Sequence, residues 1–107
     1  MTANERIRVA TDRAVDRVYG ETEGEEILRI FEGLLAMATA DGQRKRKRGK
    51  VFWKVDPDHE AALYRHLYRA QQKEGLDDDS GASAWVHVAW RALALAAQEG
   101  HPEWVHG

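Results

Sequence analysis

The spacing of apolar residues limits most strongly what this chain can fold into. In four stretches they recur every three or four residues, which is the repeat of an α-helix with one buried face. The second stretch shows the pattern most fully, at Ile27, Leu28, Ile30, Phe31, Leu34, Leu35, Met37 and Ala38. Residues 50–55 could form a short strand, but a single strand would have no partner. The sequence therefore predicts an all-α fold of about four helices in a small bundle.

Capping and turn residues predict where these helices begin and end. The third is expected to begin at Asp56-Pro57 and the fourth between Ser80 and Ser83. Residues 42–56 are predicted to form an extended loop between the second and third helices, and Trp104 is predicted to fold back onto the body. The predicted ranges are about 4–19, 22–41, 56–75 and 80–100.

The chain length of 107 residues predicts a single domain. The first helix has a thin apolar stripe, so residues 1–20 are expected to be peripheral or to contact a partner, beside a core bundle over 22–100. The absence of cysteine excludes a disulfide scaffold and a thiolate zinc site. No apolar run approaches the roughly 20 residues of a membrane helix, and no signal-peptide core is present. We therefore expect a cytoplasmic protein with no membrane partner.

A basic run stands out against an acidic body. Without its six members the chain has ten basic and eighteen acidic residues, a net charge of −8. Such a run attracts phosphates, and the following Phe52 and Trp53 are candidates for stacking on bases. The alternative is a solvated loop that balances the acidic body, including across an oligomer interface. The candidate phosphate-binding residues are Arg44, Lys45, Arg46, Lys47, Arg48 and Lys50.

An acidic turn before the fourth helix offers oxygen ligands for a cation. Asp77 and Asp79 would point the same way in an extended chain, and Mg²⁺ prefers carboxylates together with waters and phosphates. Alternatively, these residues only cap the fourth helix and interact with its dipole. His66 and His87 fall on the helices either side of this turn, where packing would bring them close to it. We take both as candidate proton-transfer groups, with Glu60 as a further candidate carboxylate.

Residues 60–95 resemble part of the phage-associated dATP/dGTP diphosphohydrolase N-terminal-type family, which is linked to MazG-like all-α nucleotide pyrophosphohydrolases. The matching motifs are Ala62-Leu63-Tyr64-Arg65-His66-Leu67, Asp77-Asp78-Asp79-Ser80-Gly81, and His87-Val88-Ala89-Trp90-Arg91-Ala92-Leu93-Ala94-Leu95. Two departures are plain. Ala84 stands where the family pattern has the first histidine of an H-x-x-H pair. Arg29 stands where the MazG-type carboxylate helix has its third glutamate.

The resemblance implies a Mg²⁺-dependent hydrolysis of a nucleoside or deoxynucleoside triphosphate to its monophosphate and pyrophosphate. In that reading Arg65 and the basic run neutralise phosphates, and the chain forms a homo-oligomer. The alternative hypothesis is a non-catalytic helical module that binds nucleic acid or a protein partner through residues 44–50.

Overall fold

The computed structural model describes residues 2–46, 52–73 and 82–106. Within these ranges the chain is helical, with turns and no strand, so the predicted all-α class is confirmed. A short fifth helix follows the four that were predicted. The helices are α1 (Ala3–Val18), α2 (Thr22–Arg46), α3 (His59–Gln71), α4 (Ala84–Gly100) and α5 (Glu103–His106).

Helix α2 is longer than the sequence predicted. It does not end at Asp41-Gly42 but continues to Arg46, so the predicted loop is wrong for residues 42–46. Asp41 is buried and Gly42 is half-buried, because this part of α2 packs against the body. That packing outweighs the cost of about 1 kcal/mol for a glycine inside a helix. Arg44, Lys45 and Arg46 are therefore helical, whereas Lys47, Arg48 and Lys50 lie outside the described residues.

Helix α3 is shorter than predicted at both ends. It begins at His59 rather than at Asp56-Pro57, because the Asp56 side chain forms a turn by accepting a hydrogen bond from the Asp58 amide at 2.9 Å. It ends at Gln71 instead of continuing to residue 75, and Lys73 has a left-handed backbone with φ 59°. A left-handed residue after the last turn is a common way to stop a helix.

Helix α4 lies against α3 along much of its length, and the C-terminal half of α2 lies against α4. The hydroxyl of Ser83 accepts a hydrogen bond from the Val86 amide, which confirms the predicted start near residue 83. The buried apolar side chains are small, so the helices approach closely. They are Ala38, Ala62, Ala70, Ala82, Ala84, Val86 and Ala94.

The ends of the chain are attached to this pair by local contacts. Ile7 of α1 packs on Gly100 so closely that a Cβ there would lie 2.8 Å from the Ile7 Cδ1. Trp104 packs edge-on against Trp53 with ring centroids 5.3 Å apart, which confirms that the tail folds back. No helix in the described part of the chain is long and apolar enough to cross a membrane.

Candidate functional site

The two histidines singled out from the sequence meet at the interface between α3 and α4. Their rings are stacked, with centroids 4.8 Å apart and planes inclined by 19°. The face that α3 turns toward α4 carries four residues at helical spacing: His59, Ala62, His66 and Ala70. Three of them are buried, and His66 is half-buried. The packing of α3 on α4 therefore places two titratable rings in direct contact.

His66 has a strongly perturbed environment. Burial lowers the pKa of His66 from 6.5 to about 4, and the neighbouring charges of His87, Arg91, Arg69 and Arg65 act in the same direction. Its Nδ1 atom is buried and makes no hydrogen bond with any residue in the described part of the chain. A buried polar atom without a partner is uncommon in folded proteins, so this ring is a strong candidate for a functional group.

A polar network continues from this pair toward the start of α3. Arg91 donates a hydrogen bond to Nδ1 of His59 at 2.8 Å and lies 3.4 Å from the Asp56 carboxylate. Because Nδ1 accepts, the proton of His59 is on Nε2, which donates to the carbonyl of Trp53 at 2.6 Å. His59 is almost completely buried, so this network fixes the orientation of Arg91 on α4.

The turn that carries Trp53 is fixed by a second residue of α4. The amide nitrogen of Gln98 donates to the carbonyls of Trp53, Lys54 and Asp56 at 3.1–3.3 Å. One side chain therefore holds three backbone carbonyls in place. Together with His59, Gln98 fixes the position of the Trp53 indole relative to α4.

A cavity of about 350 Å³ lies between the C-terminal half of α2, the Trp53 turn and α4. Two indoles contribute to its wall, and one of them, Trp90, donates through Nε1 to the hydroxyl of Thr39 at 3.0 Å. This volume is at the lower end of the usual range for small-molecule sites, about 300–1,000 Å³. The lining is mainly apolar with two polar side chains: Leu35, Thr39, Gln43, Trp53, Trp90, Leu93, Ala94 and Ala97.

On α4 the cavity and the histidine pair occupy neighbouring faces. Trp90, Ala94 and Ala97 line the cavity, while His87 and Arg91 lie on the adjoining arc. On α2 the cavity-lining Gln43 immediately precedes Arg44, Lys45 and Arg46 in the last turn. An aromatic cavity and a histidine pair therefore lie on neighbouring faces of α4, and Gln43 of the cavity directly precedes three basic residues along the chain.

The other predicted site residues are placed differently. Arg65 is exposed and paired with Asp58 at 2.7 Å, and its hydrogen bond lowers the pKa of that carboxyl group. Glu60 is exposed in the first turn of α3, about 100° around the helix from His59. Phe52 is exposed, with the Lys54 ammonium 5.8 Å from its ring centroid. The roles predicted for these residues stay predictions.

The predicted magnesium ligands Asp77 and Asp79 lie outside the described residues. Within 2–46, 52–73 and 82–106, no three carboxylate or imidazole side chains converge on one point. Mg²⁺ prefers near-octahedral oxygen coordination. The described residues alone therefore do not fit a magnesium ion.

Sequence reasoning missed two residues that organise this region, Arg91 and His59. Arg91 follows His87 by four residues, and His59 precedes His66 by seven, so each pair shares one helix face. Those spacings are visible in the sequence. The sequence predicted that the two helices pack near the acidic turn, but not which side chains then contact each other, and it is this packing that makes Arg91 a neighbour of His59 and of His66.

Comparison with known proteins gives one informative match. No curated protein and no solved structure matches the chain. The model of the family described as dATP/dGTP diphosphohydrolase, N-terminal, matches residues 25–106. That range includes nearly all of α2 and the whole α3–α4 pair, which carries the cavity, the histidine pair and Arg91. The chain therefore belongs to the family of dATP/dGTP diphosphohydrolase N-terminal domains.

Proposed function

We propose that this domain binds a purine deoxynucleoside triphosphate and hydrolyses it to the monophosphate and pyrophosphate. The observation that carries the proposal is the cavity of about 350 Å³ walled by Trp53 and Trp90, next to the basic end of α2. Family membership supports a nucleotide substrate. The preference for a purine base and the hydrolysis to pyrophosphate go beyond family membership and are what we propose.

The cavity suits a planar heterocycle with polar edges. Indole rings offer faces on which a base can stack, a contact worth about 1–3 kcal/mol per base. Gln43 can both donate and accept hydrogen bonds, so its amide can contact the edge of the base. The Thr39 hydroxyl already accepts from Trp90 and donates to Leu35, which holds this wall in place.

The phosphates would extend from the cavity toward positive charge. Arg44, Lys45 and Arg46 follow Gln43 on α2, and Arg91 follows Trp90 on α4. Arg65 would join them after exchanging its Asp58 partner for a phosphate oxygen. Guanidinium groups bind phosphate oxygens through paired hydrogen bonds, which would both hold and orient the triphosphate.

In the proposed reaction a water oxygen attacks the α-phosphorus, the bond to the bridging oxygen breaks, and pyrophosphate leaves. The attacking water must lose a proton. His66 is a suitable acceptor because its imidazole is neutral at neutral pH, with a pKa of about 4 in the free domain. Bound phosphates would raise that pKa toward the working pH, since nearby negative charge favours imidazolium. His87, stacked on His66, would orient the ring.

The proposal includes a magnesium ion. Its ligands would be the carboxylates of Asp77 and Asp79, with Glu60 as a third. When bound, the ion would supply positive charge to the phosphates and lower the pKa of a bound water. A direct check is the Mg²⁺ dependence of binding and of pyrophosphate release, measured separately.

Binding is tested by calorimetry with dATP, dGTP, dCTP and dTTP. We expect both purine nucleotides to bind more tightly, and Trp53→Ala to weaken binding by about 10-fold or more through the lost stacking surface. Trp53→Phe should keep most of the affinity. Trp85→Ala is the matched control, because Trp85 is exposed on the first turn of α4 and does not line the cavity. Equal affinity of the Trp53→Ala and wild-type domains would reject the base site.

Hydrolysis is tested by pyrophosphate release with and without Mg²⁺. His66→Gln keeps the size and polarity of the side chain but cannot accept a proton, so we expect binding to persist while turnover is lost. Absence of pyrophosphate release from every nucleotide at high protein concentration would reject the enzyme and leave a nucleotide-binding module.

The alternative of a nucleic-acid-binding module is favoured by one observation. The last turn of α2 places three basic residues in succession at a helix end, before the rest of the basic run. Phosphate contacts release counterions, so binding of single-stranded DNA would weaken steeply with salt. Neutralising residues 44–48 should then abolish DNA binding, whereas dATP binding should weaken but persist through the cavity between Trp53 and Trp90. Unchanged DNA binding in that variant would exclude this alternative.

A further inference from the structure

Trp104 supports the wall of the cavity without lining it. The residues that line the cavity include Trp53 and Trp90 but not Trp104. Trp104 instead packs edge-on against the Trp53 indole, with ring centroids 5.3 Å apart and planes inclined by 77°. This is one of the preferred arrangements of two aromatic rings. The C-terminal tail therefore contacts the part of the cavity wall that lies outside the helices.

The hydrogen bonds that hold Trp53 fix its backbone but not its side chain. Gln98 and His59 both donate to the Trp53 carbonyl, at 3.3 and 2.6 Å. An indole can still rotate about its side-chain bonds when its backbone is fixed, because several staggered rotamers are open to it. In the described part of the chain, the ring that contacts the Trp53 indole is that of Trp104. This contact limits the rotation that the hydrogen bonds leave open.

Trp104 is itself held on more than one side. The imidazole of His101 stacks on it almost in parallel, with centroids 4.2 Å apart and planes inclined by 6°. The ammonium of Lys54, from the same turn as Trp53, lies 4.9 Å from the Trp104 ring centroid. Stacking and cation–π contacts both favour one orientation of the ring. Trp104 can therefore act as a fixed support for its neighbour.

One residue of α4 joins the tail to the turn. The Gln98 side chain donates to three backbone carbonyls of the turn, and the Gln98 carbonyl accepts a hydrogen bond from the His101 amide at 3.1 Å. The tail therefore leaves α4 beside the residue that holds the turn. Ile7 of α1 packs on Gly100 at the same point. The positions of the tail and of the turn are set together.

A base that stacks on Trp53 gains most when the indole already has the bound orientation. Immobilising one side chain only when the ligand binds weakens the affinity by about 3- to 10-fold. The contact with Trp104 is present in the free domain, so the ring is already ordered before a nucleotide arrives.

We propose that Trp104 is a positioning residue of the nucleotide site. It fixes the Trp53 indole in the orientation on which a purine base stacks, and it does not touch the base itself. This inference rests on the proposed nucleotide site. It makes the tail from His101 to Trp104 part of the binding machinery, although the tail does not line the cavity.

Fluorine NMR of protein labelled with fluorotryptophan tests the positioning without a ligand. The chain has four tryptophans, and the Trp53 resonance is the one that disappears in Trp53→Phe. In the wild-type protein the Trp53 fluorine should relax like that of Trp90, which is held by a hydrogen bond. In Trp104→Ala it should relax like that of the exposed Trp85. Unchanged relaxation of Trp53 in Trp104→Ala would overturn the proposal.

A double-mutant cycle measured by calorimetry with dATP tests whether Trp104 acts through Trp53. We expect Trp104→Ala to raise the dissociation constant by about 5-fold. Trp104→Phe should restore most of the affinity, and Trp85→Ala is the matched control with no loss. In the Trp53→Ala background, Trp104→Ala should have no further effect, because the ring that it positions is absent.

The outcomes of this cycle separate the two proposals. Wild-type affinity in Trp53→Ala would reject the base site and this inference with it. Weakened binding in Trp53→Ala but wild-type affinity in Trp104→Ala would reject only the role of Trp104. A loss of the same size from Trp104→Ala with and without Trp53 would show that Trp104 acts independently of that ring, which also overturns the inference.

Discussion

The α3–α4 pair and the N-terminal half of α2 place polar and large apolar side chains in opposite positions. Between α3 and α4 polar rings are packed among small apolar side chains, with His59 buried between Arg91 and a backbone carbonyl, and His66 stacked on His87. On α2 large apolar side chains face outward. Both ring nitrogens of His59 have hydrogen-bond partners, whereas the buried Nδ1 of His66 has none within the described part of the chain, which marks the histidine pair as a site. The second region has the composition of a core without a covering element, which is typical of an interface.

The largest expected difference between the two regions comes from His59→Ala. The change removes two hydrogen bonds and leaves the Trp53 carbonyl and the Arg91 guanidinium without this partner in a buried setting. We expect the free energy of unfolding to fall by about 3 kcal/mol. Urea denaturation followed by circular dichroism measures it.

The matched change on the exposed face is Ile30→Ala, measured in protein dilute enough to be monomeric. Because Ile30 is 54% exposed, its truncation should alter the free energy of unfolding by no more than about 0.5 kcal/mol. A larger loss for Ile30→Ala than for His59→Ala would invert the comparison and show that this face of α2 packs within one chain.

The pH dependence of stability should report His66. Above pH 6.5 its ring is neutral in both states. Between pH 6.5 and about 4 the unfolded chain takes up a proton that the folded chain does not, so the free energy of unfolding falls. Below about pH 4 both states are protonated and this loss stops. We expect the free energy of unfolding to fall by about 1.5 kcal/mol in total. This is roughly half of what a fully buried ring would give, because solvent screens the exposed part of the His66 ring.

His66→Gln is the control for this titration, since the amide does not titrate. The difference between wild-type and variant unfolding free energies, measured from pH 7 to pH 3.5, isolates His66 from other titrating groups. Parallel curves would show that burial does not keep His66 neutral.

A smaller effect distinguishes two threonines that make the same backbone contact. Thr39 and Thr11 each donate a hydrogen bond to the carbonyl four residues earlier, at 2.8 and 2.7 Å. Only Thr39 also accepts from a tryptophan, Trp90 of α4. We expect Thr39→Val to cost about 1 kcal/mol, because the half-buried indole N–H loses its partner. Thr11→Val should cost much less, and equal losses in thermal unfolding would mean that the Trp90 contact contributes nothing.

The sequence predicted what depends on local pattern. Helical spacing predicted the all-α class. The predicted start of α4 between Ser80 and Ser83 includes its N-cap Ser83, and Gly100 was predicted as its end. Two of the three errors at helix ends, those at the end of α2 and at the start of α3, have a tertiary cause. Gly42 stays helical because Asp41 and Ala38 are buried, and residues 56–58 form a turn because Asp56 bonds the Asp58 amide while Arg91 and Gln98 hold it.

The candidate site was predictable in part. The position of His66 and His87 on adjacent helices predicted their proximity, which the stacked rings confirm. The cavity was not predictable, since its wall combines α2, α4 and the Trp53 turn. Its polar support, Gln98, lies 45 residues from Trp53 and has no local signature. Contacts at that separation depend on how the helices pack, which periodicity alone does not specify.

Gly33→Ala gives a small expected effect, and its sign tests whether Gly33 is needed within the single chain. In dilute protein the free energy of unfolding should rise by about 0.5–1 kcal/mol, because alanine favours the helix and its methyl group meets no neighbouring atom within the chain. Urea denaturation followed by circular dichroism measures this change. Loss of stability in the monomer would show that Gly33 is needed within the single chain.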